Sequence, residues 1–141
     1  MKKVILLVCL MPCLAYGQIV ENFESGNTNN WVQGADGCWK ADTSESISGI
    51  YSLHHIFDNP DPGTDQTGIA TDSLQPSEGM VKWSFTIRHG YDPSSSNNWS
   101  VFIMSDTGPS AIYSDGSVNG YAIGVNLTGY DDTLRLWKVR G

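Results

Sequence analysis

Positive charge is scarce in this chain. Only 8 Lys and Arg stand against 15 Asp and Glu in 141 residues, a formal net charge of −7. Affinity for a phosphate backbone rests on clustered cations, so the composition argues against a nucleic-acid partner and fits a soluble exported protein. Cysteine is nearly as scarce: of Cys9, Cys13 and Cys38, the first two fall in a leader and only Cys38 remains, so no internal disulfide can form. Cys38 lies between Gly37 and Trp39 with no base nearby in sequence, which suits a small buried filler better than a reactive thiol. Helical patterning is missing too. No window of a dozen residues keeps apolar positions at a 3.6-residue period, and 15 Gly and 6 Pro interrupt the chain at short intervals. Glutamate occurs only at 21, 24, 45 and 78, and neither a Gly-x-Ser-x-Gly elbow nor a His-Glu-x-x-His motif is present.

The one sustained apolar run, Val4 to Ala15, follows Lys2 and Lys3 and ends at Ala15-Tyr16-Gly17. That is the layout of a cleaved signal peptide over residues 1–17, too short for a span of roughly 20 residues. Residues 18–141 are read as one domain. Its organising stretch is Gly79 to Gly90, where Val81, Trp83, Phe85 and Ile87 alternate with Lys82, Ser84, Thr86 and Arg88. Alternation places the two sets on opposite faces of a strand, and burying the four apolar residues would contribute on the order of 6–12 kcal/mol. This predicts the central strand of a sheet, with Trp83 and Trp99 in the core.

Shorter strands are expected at Ile19–Phe23, Cys38–Ala41, Ile50–Phe57, Ile69–Leu74, Trp99–Ser105, Ile112–Tyr113, Tyr121–Leu127 and Thr133–Val139. Between them lie turn-rich loops, most of all Asp58 to Asp65 with Pro60 and Pro62, through which no ladder could run. In Trp99–Ser105 the residues Trp99, Val101 and Ile103 should share one face and Phe102 and Met104 the other. This number and spacing of strands predicts an all-β fold, two antiparallel sheets packed as a jelly-roll sandwich. The chain stops just after its last strand, so the domain is expected to be incomplete at its C-terminal end, with further domains following.

Asn22-Phe23-Glu24-Ser25-Gly26, then Trp31, then Ser48-Gly49-Ile50-Tyr51-Ser52-Leu53 resembles the opening of bacterial secreted jelly-roll binding domains, including carbohydrate-binding modules, cleaved-adhesin domains and MAM-like domains. The resemblance implies a concanavalin-like or galactose-binding-like sandwich at the N-terminal end of a longer protein. It also implies a structural calcium at the Glu after Phe, here Glu24. Calcium takes roughly 6–8 oxygen ligands, and Asp42, between a strand and the polar loop before Ile50, is the second expected ligand.

Adjacent His54 and His55 point to opposite faces of a strand and so do not make a zinc pair; one is expected buried and one solvated. Glycoside hydrolysis needs two carboxyl groups flanking the bond, and the four Glu form no such pair along a strand. Binding needs less: aromatic platforms beside hydrogen-bonding groups. Tyr91, Asp92, Asn97 and Asn98, in the Ser-rich loop before Trp99, supply that set and are the expected ligand-binding residues. Asn98-Trp99-Ser100 and Asn126-Leu127-Thr128 also fit the N-glycosylation sequon, expected to be chance in a bacterium. The sequence therefore describes a non-catalytic module, secreted or held at the cell surface, that recognises glycan or extracellular protein. The front part of a secreted glycoside hydrolase and a structural spacer are the alternatives.

Overall fold

The structure, a computed structural model, describes residues 19–61, 63–71, 79–112 and 117–141. The leader with Cys9 and Cys13, and the expected strand residues 72–74 and Tyr113, lie outside the described residues. The fold is all-β. Among the described residues seven strands form three small antiparallel sheets: β1 (Val32–Gln33) with β4 (Thr67–Gly68), β2 (Trp39–Asp42) with β3 (Ser52–His55), and a three-stranded sheet in the order β5 (Trp99–Ser105), β6 (Gly120–Val125), β7 (Leu134–Val139). Where Ile112 suggested a strand, the chain makes a single 3-10 turn at Pro109–Ala111, with Pro109 in its first turn where no donor is needed. Among the described residues no helix is long and apolar enough to cross a membrane.

The β5–β6–β7 sheet is the largest unit, and its register follows from the alternation of its apolar residues. Trp99 lies opposite Val125, Val101 opposite Ile123 and Phe102 opposite Ala122; across β6, Ala122 faces Trp137 and Ile123 faces Leu136. One irregularity corrects the sequence reading. Between Phe102 and Met104 the register shifts by one residue, so Ile103 has no partner and Met104 lies opposite Tyr121. A bulge inserts an extra residue and inverts the alternation beyond it. Met104 therefore joins the face of Trp99 and Val101.

A larger correction concerns Val81–Ile87. This stretch belongs to no strand, and Trp83, Phe85 and Ile87 are 43%, 46% and 44% exposed. Alternation fixes which side chains share a face once the backbone is extended, but a strand also needs a neighbour to complete its ladder. The burial free energy assumed for this stretch is accordingly realised only in part. At its far end Arg88 Nη1 donates to the Glu45 carbonyl at 2.9 Å. The expected opening strand at Ile19–Phe23 is likewise irregular chain, with Phe23 at a positive φ of 60°. Among the described residues the buried apolar side chains are Cys38, Val118, Ala122 and Val125. Trp99 is half-buried.

Candidate functional site

Glu24 and Asp42, the expected calcium ligands, are each engaged by different donors. The Glu24 carboxylate accepts the backbone N–H of Ile50 through Oε1 at 3.0 Å and Oε2 at 3.2 Å, and that of Tyr51 at 3.2 Å. It fastens the opening loop to the turn before β3. Gly49 makes this possible: its φ is +70°, and a Cβ there would overlap Glu24 Oε1. Asp42, at the end of β2, takes Lys40 Nζ at 2.8 Å, the Ser44 N–H at 3.0 Å and His54 Nδ1 at 3.4 Å. The Lys40 ammonium and then the Ser44 N–H hold its carboxyl far below the usual carboxylate range, against burial, and His54 adds a smaller pull. The structure does not link Glu24 to Asp42 through shared partners. Among the described residues no group of three or more His, Cys, Asp and Glu is arranged to hold a metal ion.

The two histidines do point apart, as strand geometry requires, though neither is buried: His54 meets Asp42, while His55 Nε2 meets Asp65 Oδ2 at 2.7 Å. Asp65 is the centre of a cluster that sequence reading did not assemble. It also accepts Asn59 Nδ2 at 2.7 Å and the Cys38 thiol. Burial pushes the Asp65 carboxyl up, but the bonds from His55, Asn59 and Cys38 outweigh it and leave it below its ordinary value. The same contact acts on Cys38 in reverse, since burial first and Asp65 second push the thiol up. A cysteine, a histidine and an aspartate thus meet, yet both Cys38 and His55 attach to the carboxylate. A nucleophilic thiol needs a base or a cation beside it, and this one has an anion. The cluster holds β2, β3 and the Asp58–Asp65 loop together, with the Trp39 ring 4.8 Å from that of His55. The polar residues of that loop were the only signal for it.

Tyr91, Asp92, Asn97 and Asn98 all lie on the surface. The loop folds on itself: Ser94 N donates to the Asn97 carbonyl at 2.9 Å, Ser94 Oγ accepts from Asn97 N at 2.9 Å, and Asn98 Nδ2 donates to the Ser95 carbonyl at 2.9 Å. This turn fixes the backbone under Asn97 and Asn98, while the Tyr91 ring stands 72% exposed. The sequon at Asn126 is closed in the folded chain, since Asn126 is buried and its Nδ2 donates to Asp132 Oδ1 at 2.7 Å.

No protein-family model, curated protein or solved structure matches the chain. The residues themselves therefore carry the functional argument.

Proposed function

We propose that the chain is an exported, non-catalytic binding module, a jelly-roll-type sandwich that recognises glycan or protein outside the cell through aromatic side chains held at its surface. The observation that carries this reading is the exposed aromatic set on the stretch before β5, Trp83 and Phe85 nearly half exposed and Tyr91 72% exposed, on the same stretch of chain as the exposed Asn97 and Asn98. Large apolar groups in water are costly, and aromatic rings rimmed by hydrogen-bonding groups are the usual equipment of a ligand surface. The carboxylates support a binding role over hydrolysis. Glu24 is taken by backbone donors and Glu21 by the Phe23 N–H and the Trp31 indole, so neither stands free beside a second acid as bond cleavage requires.

The test is affinity electrophoresis of the full chain through gels containing neutral or acidic polysaccharide, with immobilised extracellular-matrix protein as a second surface. Retardation or capture by at least one of them, weakened about fivefold or more by Tyr91→Ala, is the expected result. Failure to bind any of these surfaces overturns the proposal.

The proposal includes one structural calcium on Glu24. A carboxylate has about four lone-pair sites, so the three N–H contacts leave room for a cation. Asp42 would join only by exchanging Lys40 Nζ for the ion. Calcium at 100 times its Kd should then add about 2.7 kcal/mol of stability. Thermal unfolding in calcium and in excess chelator checks this: the midpoint rises with calcium in the wild type and not in Glu24→Gln. A midpoint indifferent to calcium removes the metal.

A further inference from the structure

The register of the three-stranded sheet places side chains in rows across one face. Met104, Tyr121 and Lys138 form the first row, Val101, Ile123 and Leu136 the second, and Trp99, Val125 and Leu134 the third. Eight of these nine residues carry no charge; Lys138 sits at a corner. At that corner the surface falls into an open cavity of about 500 Å3, lined among others by Met104, Asp106, Asn119, Tyr121, Lys138 and Arg140. The Tyr121 ring and the Met104 side chain are exposed there and make an apolar floor. Gly120 lets β5 and β6 close beneath it, since a Cβ at that position would overlap the Met104 carbonyl oxygen.

The charge at this corner is opposite to that of the protein. Arg135, Lys138 and Arg140 are three of the eight cations in the chain, gathered within its last strand and the residue after it. Arg135 lies on the other face, opposite Gly124, and is paired with Asp131. Among the described residues neither Lys138 nor Arg140 has a carboxylate within ion-pairing distance. Among the described residues the one acid lining the cavity, Asp106, is turned to its own chain: it accepts Asn119 Nδ2 at 2.7 Å and the Asn119 N–H at 2.9 Å, which hold its carboxyl below the ordinary value. The corner therefore combines two cations without an ion-pair partner among the described residues, one engaged carboxylate, an exposed tyrosine and the exposed Asn119.

We propose that this corner binds an anionic saccharide, a glycan whose rings carry carboxylates as uronic acids do; the inference rests on the reading of the chain as an extracellular glycan binder. The flat Tyr121 ring receives the C–H face of a sugar, Met104 extends the platform, and Arg140 and Lys138 take the ring carboxylate by charge-assisted hydrogen bonds. The negative charge elsewhere on the protein does not forbid this. At physiological salt, fields fall off within about 8 Å, so the cations in contact decide the outcome for a ligand of low charge density. A nucleic acid, which needs many phosphates neutralised at once, is not served by two cations.

Polygalacturonate and dextran are the acidic and neutral probes, tested by affinity electrophoresis of the full chain at two salt concentrations. The wild type should bind polygalacturonate, less strongly at the higher salt, and the double variant Lys138→Gln, Arg140→Gln should lose about tenfold or more in affinity. Tyr121→Ala should also weaken binding, Lys138→Arg should preserve it, and Lys82→Gln, which removes one positive charge outside the cavity lining, should leave it within about twofold. The cationic side chains are exposed, and an unchanged thermal midpoint confirms that the double variant is folded. Polygalacturonate binding equal in the wild type and the double variant overturns the proposal. Retention by dextran or by matrix protein without polygalacturonate overturns it while leaving the binding-module reading in place, and retention by none of them removes both.

Discussion

Asn126→Ala is expected to destabilise the protein by about 2 kcal/mol, the largest effect of any single polar truncation in the β5–β6–β7 unit. Asn126 follows β6 with a positive φ of 55° and is 2% exposed. It makes a reciprocal pair with Asp132, Nδ2 to Oδ1 at 2.7 Å and Asp132 N–H to Oδ1 of Asn126 at 3.0 Å. Truncation leaves the Asp132 N–H and carboxylate without that partner, and because Asp132 is exposed, water takes part of its place and the loss is about 1 kcal/mol. Alanine in the left-handed region adds about 1 kcal/mol that asparagine largely avoids. Chemical denaturation with a linear extrapolation measures the sum. Asn126→Gly separates the two contributions, because it removes the hydrogen bonds and keeps the backbone, and should recover roughly 1 kcal/mol relative to alanine. Asn126→Ala within about 0.5 kcal/mol of the wild type would show that the pair does not hold the β6–β7 connection.

The second large effect is expected at Gly49. Gly49→Ala meets two obstacles together, a φ of +70° and overlap of the new Cβ with Glu24 Oε1. The first costs about 1–2 kcal/mol. The second displaces the carboxylate from the N–H groups of Ile50 and Tyr51, charge-assisted bonds worth about 1.5–3 kcal/mol when well shielded and less here, where the contact is exposed. A total near 2–3 kcal/mol follows. Glu24→Ala alone should cost about 1 kcal/mol. The double variant gives the sharper test. With the carboxylate gone, a Cβ at position 49 meets nothing it must displace, so the double variant should be less destabilised than the two single changes added together. Strict additivity would mean that Glu24 and the Gly49 turn do not interact.

Both effects lie where a polar side chain closes a loop, and the two differ in how legible they are. The Glu24 contact was flagged by its neighbours, because Asn22 to Gly26 and Ser48 to Leu53 drew attention as a linked pair of segments. The expected role was cation binding; the observed partners are N–H donors. Asn126 carried no signal apart from a glycosylation pattern, and its structural importance comes from Asp132 folding back across the β6–β7 turn. The Cys38–Asp65–His55 cluster is similar: its residues lie in three separate segments, and only the pairing of β2 with β3 beside the Asp58–Asp65 loop brings them together.

What the sequence determined by itself is the class of structure and the location of most strands. The alternation in Trp99–Ser105, Tyr121–Leu127 and Thr133–Val139 and the strand residues around Trp39 and Leu53 fall on β5, β6, β7, β2 and β3, because pleating and turn chemistry are set by a residue and its immediate neighbours. The tertiary structure decided which extended segments acquire partners. Val81–Ile87 has the clearest alternation in the chain and joins no ladder, while the weakly patterned Thr67–Gly68 pairs with Val32–Gln33. It also decided, through one unpaired residue at Ile103, that Met104 shares a face with Tyr121 and Lys138. The physical reason is that a strand's hydrogen bonds are completed by residues distant in sequence, so local pattern prepares a strand and long-range closure selects it.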